Sequence, residues 1–173
     1  IFVTSALFSQ QEDLSKMTLD QISRKLENPL SSLWSLTFQE NYFKKTGTLV
    51  DGYTTTNNFF FQPFLPFPVG NAKMLVLRPV FPLVTQPVID PNTGETTDYV
   101  TGFGDLQLFT AYGPDKKSGS IWGVGATFVF PTATDEILGQ GKFQAGPAAM
   151  YFLLGKTWSI GTLVQHWWSV AGD

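Results

Sequence analysis

About seven segments of this chain, each about 8 to 12 residues long, have the side-chain pattern of β-strands, and in several of them large apolar side chains alternate with small or polar ones. The segment 143–154 is apolar on both faces and is predicted to be a strand because it lies between strands. Alternation at every second residue predicts β-strands that have one apolar face. Repetition of the pattern along the chain predicts a meander of consecutive strands. The predicted strands are residues 33–43, 57–65, 73–83, 105–112, 122–130, 143–154 and 157–169.

Strand length and the nature of the second face separate two kinds of β protein. A tilted strand needs about 9 to 11 residues to cross the hydrocarbon layer of a membrane, whereas strands of soluble proteins average about 5 or 6. The face opposite the apolar one carries Ser, Thr, Gln and Asn side chains, which a dry sandwich core would have to pair one by one. A barrel in lipid with a polar or water-filled interior accommodates both faces.

The composition agrees with a membrane barrel, because 43% of residues are hydrophobic and only 14% are charged, where about a quarter is usual. The net charge is −3 and no basic run occurs, so we predict no nucleic-acid partner. With no cysteine and one histidine, His166, we predict no metal site, no cofactor and no enzymatic activity. No apolar stretch approaches the ~18 residues of a transmembrane helix, so any membrane-spanning form must be a closed barrel.

The chain divides into three predicted regions. Residues 1–9 resemble the end of a secretory signal peptide, with an ordinary buried strand as the alternative. Residues 10–32 are predicted to be a periplasmic segment with one short helix, which a Thr18 and Gln21 capping box begins and Pro29 ends. Residues 33–173 are predicted to be the barrel, incomplete at the C-terminus because bacterial single-chain barrels have an even number of strands.

The predicted connections alternate in length, as they do in outer-membrane barrels with long extracellular loops and short periplasmic turns. Long connections are predicted at 44–56, 84–104 and 131–142, and short ones at 66–72, 113–120 and 155–156. This orientation predicts two girdles of aromatic side chains at the edges of the membrane. The girdle residues are Trp34, Tyr42, Tyr112, Trp122, Trp158, Trp167 and Trp168.

Four polar side chains are predicted to line the interior: Gln39, Arg78, Asp105 and Gln165. Arg78 and Asp105 fall on adjacent predicted strands. They are candidates either for a structural ion pair or for charges that select which solutes enter.

Several short motifs, taken in order, resemble a known family. They are NPLSSL (28–33), LRPVFPLVTQP (77–87), GFGD (102–105), WGVG (122–125), FPTATD (130–135), LGQGK (138–142), GP (146–147) and WSVAG (168–172). Together they resemble the outer-membrane transporter family linked to phenol meta-pathway degradation, whose members are often misnamed neuromedin U. The resemblance covers residues 28–172. It implies an outer-membrane barrel that passes small compounds, aromatic or hydrophobic ones among them, with further strands beyond this chain and no catalytic residue to carry over.

We therefore predict an all-β protein, an antiparallel up-and-down transmembrane β-barrel of about seven strands with a short N-terminal helix. Its predicted partners are the lipid bilayer of the bacterial outer membrane and a small solute that passes through it. Two alternatives remain open: a soluble lipocalin-like binder of a small ligand, and a structural or interaction barrel with a plugged interior.

Overall fold

The computed structural model describes residues 18–27, 34–47, 50–115, 119–155 and 158–172. These residues form one short α-helix and one nine-stranded antiparallel sheet, which curls into a half-barrel. The predicted all-β, up-and-down class is confirmed. The elements are α1 Leu19–Glu27, β1 Ser35–Gly47, β2 Val50–Pro68, β3 Lys73–Ile89, β4 Thr96–Phe103, β5 Leu106–Pro114, β6 Gly119–Phe130, β7 Phe143–Leu154, β8 Ser159–Gln165 and β9 Trp168–Ala171.

The N-terminal helix begins as the capping box predicts. The Thr18 backbone N–H donates to Gln21 Oε1 at 3.0 Å, and the Gln21 N–H donates to Thr18 Oγ1 at 3.3 Å. The two bonds satisfy backbone groups that an uncapped helix end leaves unpaired. In the part of the chain that the structure describes, no helix is long and apolar enough to cross a membrane. The predicted signal-peptide remnant at 1–9 lies outside the described residues.

Strands that follow one another along the chain are neighbours in the sheet, in the order β1-β2-β3-β5-β6-β7-β8, except that β4 does not pair with β5 and β8 does not pair with β9. Strands β4 and β5 pair with successive parts of β3, with Phe103 opposite Leu83 and Gln107 opposite Val80. They therefore follow a single path that is interrupted only near Asp105. Strands β8 and β9 pair in the same way with successive parts of β7. Because β4 is collinear with β5, and β8 with β9, the nine described strands occupy seven side-by-side positions in the sheet, which is the predicted number of strands.

Two of the predicted long connections are wrong. The segments 44–56 and 84–104 are mostly strand, because paired strands extend into both of them: β1 ends at Gly47 and β2 begins at Val50, while β3 ends at Ile89 and β4 begins at Thr96. Their Thr, Tyr and Val side chains continue the pairing, with Thr85 opposite Thr101 and Gln86 opposite Val100, and β-branched and aromatic residues favour that conformation. The third long connection, 131–142, is confirmed and contains one turn of 3₁₀ helix at Glu136–Leu138.

The alternation of side chains produces two unlike faces. Five buried side chains pack together on one face, from β3, β5, β6 and β7. Because they come from four strands of a single sheet, they can meet only on the concave side of the curl. Their neighbours in sequence, such as Trp122 beside the fully buried Ile121, lie on the convex side and are exposed. The packed residues are Met74, Val76, Ala111, Ile121 and Met150.

Candidate functional site on the concave face

The concave face is apolar at the end where β3 begins. Here the five packed residues form an apolar cluster, against which Phe64, Phe109 and Phe152 also pack. Methionine fills irregular gaps well because its side chain is unbranched and flexible. The predicted interior was polar or water-filled, with a plugged interior as an alternative. This end of the concave face is apolar instead, because the curl of the sheet brings the inward side chains close enough to exclude water.

A chain of polar side chains lies next to the apolar cluster, across β1, β2 and β3. Arg78 Nη2 donates to Gln62 Oε1. Gln62 Nε2 donates to Gln39 Oε1 at 3.1 Å, and Gln39 Nε2 donates to Asn41 Oδ1 at 2.9 Å. The structure thus connects two of the predicted interior residues, Gln39 and Arg78, through a third that the prediction did not single out. Alternation could have identified Gln62, since it follows the apolar Phe61 in the predicted strand 57–65 and therefore lies on the polar face of that strand.

Asp105 lies in the gap between β4 and β5 and binds the connection between β6 and β7. Its Oδ1 accepts the backbone N–H groups of Thr132 and Ala133, each at 3.1 Å, and its Oδ2 accepts that of Gln140 at 2.7 Å. The carboxylate is buried, and hydrogen bonds to a charged acceptor are stronger than neutral ones. Asp105 and Arg78 form no ion pair in the described structure: the arginine binds Gln62, and the carboxylate anchors a loop.

Two glycines allow this loop to lie directly on the strands. A Cβ atom on Gly102 would lie 2.2 Å from Thr134 Oγ1, and one on Gly139 would lie 2.7 Å from Asp105 Oδ1. The Thr134 N–H also donates to the carbonyl oxygen of Phe103 at 2.9 Å. The motifs GFGD and LGQGK, which are distant in sequence, therefore belong to one contact.

A cavity of about 370 Å³ lies between this loop and the concave wall of the sheet. Amide side chains contribute much of its polar lining, and Phe60, Val129 and Trp167 contribute apolar walls. The volume falls within the about 300 to 1,000 Å³ of typical small-molecule sites. The amide residues are Asn58, Gln86, Gln107, Gln140 and Gln144.

The remaining predicted interior residue, Gln165, pairs with the buried Ala148 and so shares the concave face. Trp167 lies on the same face, two residues further along. Its indole Nε1 donates to Thr127 Oγ1 at 3.1 Å, and the ring lines the cavity. This corrects its predicted place in an outward girdle, and the physical reason is that the indole N–H finds a hydrogen-bond acceptor, Thr127, on the concave face.

The other six predicted girdle residues lie at the surface. Their side chains are between 37% and 68% exposed. A row of stacked rings runs beside them across β1, β2 and β3, with centroids 5.4 Å apart for Phe38 and Phe61 and 5.8 Å for Phe61 and Phe81. The convex surface is thus lined by large apolar and aromatic side chains, an arrangement that marks an interaction surface in a soluble protein or a lipid surface in a membrane protein.

The concave face therefore offers amide and hydroxyl groups, one guanidinium and a cavity, which together can form hydrogen bonds and apolar contacts. Within the described ranges, no three His, Asp or Glu side chains are placed to hold a metal ion. Comparison of the chain with protein-family models, curated proteins and solved structures finds no match.

Proposed function

We propose that this chain forms the wall of a bacterial outer-membrane β-barrel through which small solutes pass. The observation that carries the proposal is the convex face, where large side chains such as Phe38, Trp122 and Val124 are 46% to 63% exposed. In water this surface would be an aggregation hazard. In a bilayer it would face lipid, as the outward band of a transmembrane barrel does.

Six of the described strands, β1, β2, β3, β5, β6 and β7, are also long enough for this role, and the shorter β4, β8 and β9 are each collinear with a strand next to them in sequence. Strands β6 and β7 have 12 residues each and β2 has 19, against the about 9 to 11 needed to cross the hydrocarbon layer. The motifs that resemble the outer-membrane transporter family support the same hypothesis. The concave polar chain and the cavity would then lie along the path of the solute.

Conductance across a planar lipid bilayer tests the proposal. We expect the purified full-length protein to produce current, and we expect Arg78→Gln to shift the ion selectivity of that current away from anions, because a cation beside a pore attracts anions. Lys44→Gln is the matched control, since it removes the same charge from an exposed side chain of the β1–β2 hairpin that lies over the Tyr53 ring. Inserted protein that carries no current would reject the open path.

One observation favours a second candidate, the barrel with a plugged interior. The apolar cluster excludes water at one end of the concave face. If it is the plug, Met74→Ala combined with Met150→Ala should carry current where the unmodified chain carries none. Equal current from both proteins would reject the plug.

A soluble lipocalin-like binder would instead cover its outer surface with polar groups. It predicts that the chain stays in the aqueous phase when a detergent solution is warmed and separates. We expect the chain in the detergent phase.

A further inference from the structure

The cavity beneath the loop at 131–142 contains more hydrogen-bonding capacity than the protein uses. Asn58 Oδ1 is buried and has no hydrogen-bond partner, and the Asn58 side chain lines the cavity. A buried polar atom without a partner costs about 1 to 3 kcal/mol, so such atoms are rare and call for an explanation. A bound molecule with an O–H or N–H group would supply the missing donor.

The cavity has little charge to offer. Among the residues that line it, Asp105 is the charged one, and both its oxygens are occupied by backbone N–H groups. Arg78 lies outside the lining and donates to Gln62. A charged ligand would lose its hydration without gaining an opposite charge. The lining therefore favours an uncharged molecule.

The apolar walls set the shape of that molecule. Phe60 and Trp167 present rings, and Val84 and Val129 add aliphatic surface. The hydrogen bond from Trp167 Nε1 to Thr127 holds the indole in place, so this wall is organised before a ligand arrives. Preorganised walls reduce the entropy lost on binding.

We propose that this cavity binds a small uncharged solute that carries a hydroxyl or amide N–H group on a compact apolar body, with Asn58 Oδ1 accepting the hydrogen bond. The inference rests on the proposed passage of solutes, for which the cavity would be the point of selection. It is tested by binding to the protein in detergent, which does not depend on conductance.

The emission of Trp167 reports on the site directly. A chain in which Trp34, Trp122, Trp158 and Trp168 are replaced by phenylalanine keeps Trp167 as its one tryptophan. Three water-soluble probes share one ring: cyclohexanol, which has a donor, cyclohexanone, which has an acceptor only, and cyclohexanecarboxylate, which is charged. We expect cyclohexanol to bind about 3- to 10-fold more tightly than cyclohexanone, the effect of one neutral hydrogen bond, and the carboxylate to bind most weakly.

Two variants test whether the preference for cyclohexanol comes from Asn58 Oδ1. Asn58→Leu should abolish the preference for cyclohexanol over cyclohexanone. Asn57→Leu is the matched control and should keep the preference. Asn57 Oδ1 is also buried without a hydrogen-bond partner, but the Asn57 side chain donates to Glu40 and does not line the cavity.

Any of four results would overturn the proposal. Cyclohexanol and cyclohexanone bind with equal affinity, the carboxylate binds most tightly, or none of the three probes binds saturably. The fourth is that the preference for cyclohexanol survives Asn58→Leu. If Asn58→Leu fails to fold, the comparison of the three probes on the unmodified site still decides. If the protein binds the probes with the expected preference but carries no current in a bilayer, the binding site is retained and the proposed passage of solutes is rejected. If the protein carries current but binds none of the probes, the passage is retained and the binding site is rejected.

Discussion

Replacing Asp105 by asparagine tests the idea that one carboxylate holds the loop at 131–142 against the sheet. Asparagine keeps the shape of the side chain, but it removes the charge and turns one acceptor oxygen into an NH₂ donor. At least one of the three N–H groups, those of Thr132, Ala133 and Gln140, then faces a donor. Charge-assisted hydrogen bonds contribute about 1.5 to 3 kcal/mol each and neutral ones about 0.5 to 1.5, so we expect the loop to lose about 3 kcal/mol.

Amide hydrogen exchange of the protein in detergent micelles measures this loss locally. A change of about 3 kcal/mol corresponds to about a hundredfold faster exchange at Thr132, Ala133 and Gln140. Asp135→Asn is the control, since Asp135 accepts one N–H, that of Ile137, at 3.0 Å, and asparagine caps a helix as well as aspartate does. If exchange at the three amides stays within twofold of the unmodified protein, about 0.4 kcal/mol, the carboxylate does not hold the loop.

Three further substitutions test other parts of the fold. Gly125→Ala would place a Cβ 2.1 Å from the Thr110 carbonyl oxygen, so we expect the free energy of unfolding, measured by thermal melting, to fall by about 1 to 3 kcal/mol. Gly47→Ala is the control and should have little effect, because a Cβ at this position has nothing within 4 Å. Equal melting temperatures of the two variants would contradict the close contact at Gly125. Gln62→Leu should destabilise the protein by about 1 to 3 kcal/mol in urea unfolding, because it leaves Arg78 without its acceptor, and an unchanged midpoint would show that the polar chain contributes nothing to stability. Val124→Arg should lower the free energy of unfolding in lipid vesicles by about 2 to 4 kcal/mol, because this convex position near the middle of β6 is expected near the middle of the bilayer. A neutral effect would place Val124 at the membrane edge or in water and contradict this position.

The two-residue period predicts most of what is regular in this fold. It places a strand at 122–130, which the structure extends to β6 at Gly119–Phe130, and it accounts for the exposed Trp122 beside the buried Ile121. It fails where composition misleads. The segment 84–104 contains Pro, Asn and Gly, which favour loops, yet its Thr and Val side chains continue the ladder.

The candidate site was harder to predict because its key contacts are not periodic. The partners of Asp105 are backbone N–H groups 27 to 35 residues away, and no side-chain pattern marks which N–H groups a loop will present. Trp167 illustrates competition between two rules. Counting by twos from Gln165 places it inside, while the preference of tryptophan for membrane edges assigns it outside; the structure follows the period because Thr127 provides a partner for the indole N–H.

Quenching of tryptophan fluorescence by lipids brominated along their acyl chains tests the central claim most directly. Five chains are needed, each keeping one of the five tryptophans and carrying phenylalanine at the other four positions, reconstituted in vesicles. We expect strong quenching of Trp34, Trp122, Trp158 and Trp168, which are exposed, and weak quenching of Trp167, whose ring lines the concave cavity. A chain that remains in water, or convex tryptophans quenched no more than Trp167, would contradict the claim that lipid covers the convex face.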